Sequence, residues 1–247
     1  MIAVALAWGA SIAAAVTGTG TRFHHDQLIE GGRLPLLVAV LVFLAAWQAM
    51  VAAMMLPSSL PMIRLFDRVS AGQPDPIASR AAFLGGYAIV WTLFGAVAFI
   101  GDVGIHHLVD STSWLQTRPW LVSGALLGVA GVAQFTPLTT RCLHECRHPV
   151  AYLLHRYRPG VANALRLGLD HGKFCLGCCW GLMLVMFGAG VASVTWMAGL
   201  TALMVYQKVG RRGARAATVT GWALLCWSVL VVAHPGWLPH PLAGVEG

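Results

Sequence analysis

The chain has 247 residues, of which 57% are hydrophobic and only 10% are Asp, Glu, Lys or Arg. A water-exposed surface needs roughly a quarter of its residues charged, so this balance, with a mean hydropathy of +0.71, excludes an ordinary soluble domain and indicates a protein partnered with the lipid bilayer. The net charge of +7 does not indicate nucleic acid, because the 16 basic residues fall almost entirely in short segments between apolar runs, where they set topology against anionic lipid.

A membrane-crossing helix takes about 20 mostly apolar residues. In chain order the sequence supplies such runs at 2–20, 35–57, 81–101 and 119–139, then a stretch at 174–208 with no charge before Lys208. At about 1.5 Å per residue that stretch is too long for one crossing. Gly188, Gly190 and Ser193 divide it into 174–190 and 191–208. A last run at 214–234 completes the expected fold class: all-α, a polytopic transmembrane helical bundle of about seven spans with short loops, forming one integral membrane domain over 1–247.

Cytoplasmic loops collect Lys and Arg. Seven spans place Arg64, Arg68 and Arg80, the basic residues of 140–173, and Lys208, Arg211, Arg212 and Arg215 on one side, leaving Arg22, Arg33 and Arg118 on the other. A single crossing at 174–208 nearly equalises the two sides. The expected topology is therefore seven spans with a cytoplasmic N-terminus in a bacterial inner membrane. The first run also offers small residues, Ala13 to Ala15, near a possible signal-peptide cleavage point, but it lacks a basic leader. In the largest loop, 140–173, Val161, Ala164, Leu165 and Leu169 form an apolar helical face beside Arg158 and Arg166, which predicts a helix at the cytoplasmic interface.

Inside these spans no Asp, Glu, Lys or Arg occurs apart from Lys208 and Arg215 at the ends, which argues against proton-coupled transport. The membrane interior carries sulfur instead. Five of the six cysteines form two clusters, Cys142 with Cys146 and Cys175 with Cys178 and Cys179, both bordering loop 140–173. Residues i and i+4 share a helix face, so Cys142 with Cys146 and Cys175 with Cys179 can supply four thiolates, with Cys178, His171 and His144 as further ligands. Arg141, Arg147 and Lys173 favour the thiolate that binds metal, and Glu145 and His148 lie beside the first cluster. A cytoplasmic setting keeps thiols reduced, which favours metal binding over a structural disulfide. Two other readings stay open: a redox-active thiol pair and inert buried cysteines. Cys226 stands alone and reads as packing.

A methionine pattern adjoins the cysteines. At 100° per residue Cys175, Cys179, Met183 and Met186 fall within an arc of about 80° on one helix face. Met54 and Met55, with Met50 and Met62, surround Pro57 and Pro61 at the end of the second run, where proline frees backbone carbonyls that buried protein must satisfy. Thioether and thiolate ligands favour Cu(I), with zinc the nearest competitor; methionine as a packing filler is the plainer reading. Gln134-Phe-Thr-Pro137 forms another proline-interrupted terminus, leading into Cys142. His24-His25-Asp26 and His106-His107 fall on the opposite side, as an outer metal-uptake site or as ordinary loop histidines. Most of the ten tryptophans read as interfacial anchors. No catalytic triad, phosphate-binding glycine loop or nucleotide domain marks an enzyme.

Met54-Met-Leu-Pro-Ser-Ser-Leu-Pro-Met62, Gln134-Phe-Thr-Pro-Leu, Cys142-Leu-His-Glu-Cys-Arg-His-Pro149, His171-Gly-Lys-Phe-Cys-Leu-Gly-Cys-Cys-Trp-Gly-Leu-Met183 and Trp196-Met197 together resemble a bacterial family of predicted metal-binding integral membrane proteins of unknown function. The likeness covers about residues 45–208 and implies metal binding. Thr139 and Gln207 depart from it, standing where the family often has a basic and an acidic residue. The expected function is handling or transport of a thiophilic metal, Cu(I) before zinc, by Cys142, Cys146, Cys175 and Cys179, with Cys178, His171 and His144 as alternates and Met54, Met55 and Met183 as an inner sulfur path. The expected partner is a metallochaperone or metalloprotein. A membrane thiol–disulfide oxidoreductase and an assembly subunit with structural zinc are the alternatives.

Overall fold

The computed structural model describes residues 2–16, 35–189 and 194–234, and these are helical with no strand among them. In chain order the helices are α1 (Ile2–Val16), α2 (Leu36–Ser70), α3 (Pro76–Ser111), α4 (Ser113–Gln116), α5 (Pro119–Ala133), α6 (Pro137–Arg147), α7 (Pro149–Arg156), α8 (Val161–Ala189), α9 (Val194–Val209) and α10 (Gly213–Ala233). His24, His25, Asp26, Gly190 and Ser193 lie outside the described residues.

Among the described residues three helices are long and apolar enough to cross a membrane: Val40–Ser70, Pro76–Ser111 and Gly213–Ala233. Trp120–Ala133 and Pro137–Arg147, bent by 60° at their junction, make a fourth crossing if taken as one span. This is fewer than the seven expected. The 15 residues of α1 and 16 of α9 are short for a crossing, and α8 draws its first half from the charged segment before Phe174. The outward faces are apolar, with Leu93, Val97, Ile100, Trp222 and Val229 all more than half exposed, a surface suited to lipid.

Three local expectations need correction. The second run does not end at Pro57: α2 continues through Pro57 and Pro61 to Ser70. Proline has no N–H to give the carbonyl four residues earlier. The indole N–H of Trp8, from α1, donates to that Ala53 carbonyl at 3.0 Å, so the missing bond is replaced by one that ties α1 to α2. Trp8→Phe is therefore expected to cost about 1–2 kcal/mol, the loss of one partly buried hydrogen bond with its acceptor left stranded, read as a lower unfolding midpoint in detergent. An unchanged midpoint would remove Trp8 from this role.

Secondly, 140–173 is not a loop. α6 has already begun at Pro137, capped by the Thr136 hydroxyl accepting from the Thr139 amide at 3.3 Å, and the predicted interfacial helix is the opening of α8, which continues unbroken through the second cysteine cluster. Thirdly, the run at 119–139 is broken, because Gln134–Thr136 leaves the helix and the chain turns by 60° before Pro137. That turn folds α6, with Cys142 and Cys146, back against α8.

Glycines set how closely these helices approach. A Cβ on Gly168 would collide with the Phe83 carbonyl, and one on Gly86 with the Leu165 carbonyl, so α3 and α8 meet backbone to backbone. Further along α8, a Cβ on Gly181 would lie 2.8 Å from that of Ala133, and one on Gly177 would strike the Cys142 sulfur. Small residues on one face of α8 thus admit α3, and those on another admit α5 and α6.

Candidate metal centre

The second cysteine cluster sits mid-helix in α8, so its backbone amides are already bonded and its thiols can turn only toward nearby carbonyls. Cys178 and Cys179 both donate to the Cys175 carbonyl, at 3.1 and 2.7 Å. From there each sulfur reaches a different neighbour. Cys179 Sγ lies 3.7 Å from Met55 Sδ of α2, and Cys178 Sγ lies 3.9 Å from Cys146 Sγ of α6. Two sulfurs each about 2.3 Å from a shared ion stand at such separations. Met55, Cys179, Cys178 and Cys146 form a row crossing from α2 through α8 to α6.

Cys175 has a different setting. Its sulfur is fully buried and ringed by polar groups: Lys208 Nζ at 3.0 Å, Tyr87 Oη at 3.1 Å and Ser59 Oγ at 3.9 Å. Lys208 also donates to Ser58 Oγ at 2.9 Å, while the Ser58 hydroxyl donates to the Met55 carbonyl at 2.8 Å. One ammonium therefore joins α9 to α2 and α8. Arg147, next to Cys146, donates to the Gln207 carbonyl at 2.6 Å and anchors α6 beside the same turn of α9. The two positions that depart from the family pattern are used in neutral hydrogen bonds, Thr139 Oγ1 to the Gly177 carbonyl at 3.3 Å and Gln207 Nε2 to Thr220 Oγ1 at 3.3 Å.

The other expected ligands stand apart from the row. Cys142 is buried on α6, its sulfur against Gly177. His171 is buried in an aromatic box, its ring 5.6 Å from Tyr87 and 5.9 Å from Phe83, and its Nε2 has no hydrogen-bond partner among the described residues. Tyr152 meets the same ring edge-on, and burial raises its hydroxyl pKa well above the ordinary range, so it stays protonated. His144 is exposed and packs at a tilt against His148, ring centroids 4.3 Å apart. Met54 and Met183 are fully buried in the core around the row. Cys226 is exposed on α10.

Sequence reasoning passed over Lys208, Tyr87, Ser58 and Ser59. By its position at the end of an apolar run Lys208 reads as a loop cation, yet it is 5% exposed and faces sulfur. The signal is present: it is the single Asp, Glu, Lys, Arg or His in 174–208, and such residues in apolar spans mark function by default. Among the described residues no group of three or more His, Cys, Asp or Glu side chains is arranged to hold a metal ion. What exists is a row of pairwise sulfur contacts, a donor set fitted to a soft ion content with few ligands.

Comparison with known proteins bears on the metal. No curated protein and no solved structure matches the chain. A family model does match, over residues 44–231, and that family, PpoB2, is described as a copper chaperone. It spans most of the chain, including every cysteine and Lys208, and narrows the metal-binding resemblance to copper. This chain belongs to the PpoB2 copper chaperone family.

Proposed function

We propose that this protein is a membrane-embedded chaperone that holds Cu(I) on buried sulfur and passes it to a metalloprotein or a second metallochaperone. The observation that carries the reading is the row Met55, Cys179, Cys178 and Cys146, two sulfur pairs drawn from three helices, in contact at 3.7 and 3.9 Å, whose members Cys179 and Cys178 share one backbone carbonyl. A closed tetrahedral cage retains its metal, as structural zinc sites do. Pairwise sulfur contacts instead offer Cu(I) successive two-donor positions, so that moving from Cys179 and Met55 to Cys178 and Cys146 exchanges one pair of soft sulfur donors for another, a thiolate with a thioether for two thiolates. Cys146, half-buried at the α6 end, is the exit, because it is the member of the row nearest the surface.

The same reading sets the chain in a bacterial inner membrane as a bundle of seven spans, with its N-terminus and the α6–α8 side in the cytoplasm. Support comes from the basic residues that alternate with the apolar runs and from the lipid-suited faces of α3 and α10.

Protein purified anaerobically in detergent and exposed to Cu(I) should bind about one copper per chain, with an X-ray absorption spectrum showing sulfur as the only donor. Zinc retained in place of copper would move the assignment to a structural or zinc-handling site. A metal-free protein whose Cys146 and Cys178 isolate as a disulfide would replace the chaperone with a thiol oxidoreductase.

A further inference from the structure

Among the described residues Lys208 is the one buried cation at the sulfur row. Its charge faces Cys175 directly, and the thiols of Cys178, Cys179 and Cys146 lie within electrostatic reach. Among the described residues no carboxylate pairs with it; the ion pairs seen, Arg80 with Asp67 and Lys173 with Asp170, are on the surface. A buried charge is retained against its desolvation cost only when something opposite balances it. Among the described residues the groups that face it and can supply the balancing charge are the cysteine thiolates.

Charge counting then distinguishes metals. Two thiolates around a monovalent ion carry one net negative charge, which the ammonium cancels. Two thiolates around a divalent ion are already neutral, so with Cys175 beside it as a neutral thiol the ammonium is left buried without a balancing charge. We propose that Lys208 is the residue that makes this site select Cu(I) over divalent thiophilic ions such as zinc and cadmium. The inference rests on the copper chaperone reading and adds to it the source of selectivity, which the sulfur ligands alone do not supply, since cysteine also suits zinc.

Ser58 and Tyr87 fix the geometry. The Ser58 proton is committed to the Met55 carbonyl, so its lone pair is presented to Lys208, and Tyr87 lies against Cys175 from α3. The ammonium cannot withdraw to water without breaking both of its contacts. It acts as a fixed charge, and a Cu(I) ion cancels it where the two thiolates of Cys178 and Cys146 are the ligands.

The test is equilibrium competition between Cu(I) and Cd(II), read by elemental analysis after desalting, for wild type, Lys208→Met and Lys208→Arg. A unit charge a few ångströms from the ion, at the effective dielectric of a protein interior, should change the Cu(I)-to-Cd(II) affinity ratio by on the order of 100-fold. Lys208→Met should lower the ratio by that factor, while Lys208→Arg, which keeps the charge, should stay within about fivefold of wild type. An unchanged ratio in a folded Lys208→Met protein overturns the proposal, as does a loss of preference in a folded Lys208→Arg protein. Should Lys208→Met not fold, wild type decides: Cd(II) displacing Cu(I) at equal concentration is incompatible with the proposed selectivity, and its exclusion supports it. Failure of the copper chaperone reading looks different, because wild type then binds no Cu(I) at all.

Discussion

Cys178→Ser is expected to weaken Cu(I) binding by about 100-fold or more, whereas Cys226→Ser should leave it within about twofold. Residues that merely support a metal ligand typically change affinity by about 10–100-fold when altered. Loss of a direct sulfur donor, replaced by a hard hydroxyl that Cu(I) does not favour, should exceed that range. Cys178 is the hinge of the row, since its sulfur contacts Cys146 on α6 and shares the Cys175 carbonyl with Cys179. Its replacement separates the α6 end from the α2 end. Cys142→Ser makes the informative contrast: the Cys142 sulfur packs on Gly177, so its loss should cost less than about 10-fold in affinity. Titration against a chromogenic Cu(I) chelator measures all three. Equal damage from Cys142→Ser and Cys178→Ser would restore the helical pairing of Cys142 with Cys146 that spacing suggests.

That contrast shows where the sequence was readable. The two cysteine clusters, the helical class and the ends of α10 could be read directly, because thiol spacing and apolar runs are local properties of the chain. The pairing of the thiols could not. Spacing at i and i+4 matches Cys142 with Cys146, but α6 is folded back by the turn at Gln134–Thr136, and its rotation against α8 points Cys146 at Cys178 and Cys142 at a glycine. Only tertiary docking fixes that rotation. The prolines misled for a related reason: Pro57 leaves a carbonyl free, and whether the helix ends there depends on a donor 45 residues away, Trp8. Lys208 was obscured by its position at the end of an apolar run, where a loop cation and a buried one look alike in sequence.

Gly168→Val should be the most damaging single change to the fold, a loss of about 3 kcal/mol or more, enough to prevent accumulation of a marginally stable protein. Overpacking a well-filled interior commonly costs about 1–3 kcal/mol when side chains can shift. Here a Cβ on Gly168 would run into the Phe83 carbonyl, and backbone cannot rotate away as a side chain can. Relief requires moving α3 away from α8 as a unit. That movement would also withdraw Tyr87, one turn beyond Phe83, from Cys175 and open the aromatic box around His171. The effects on fold and site are therefore coupled, and Gly168→Val protein that survives purification should show both a lower unfolding midpoint and weaker Cu(I) binding. Gly85→Val provides the control, since a Cβ at Gly85 meets nothing within 4 Å although it adjoins Gly86 on the same helix. Comparable loss from Gly85→Val would show that α3 tolerates no β-branched residue there and would refute the close crossing as the cause; stability retained at 85 and lost at 168 locates the constraint in the contact that holds Tyr87 against the sulfur site.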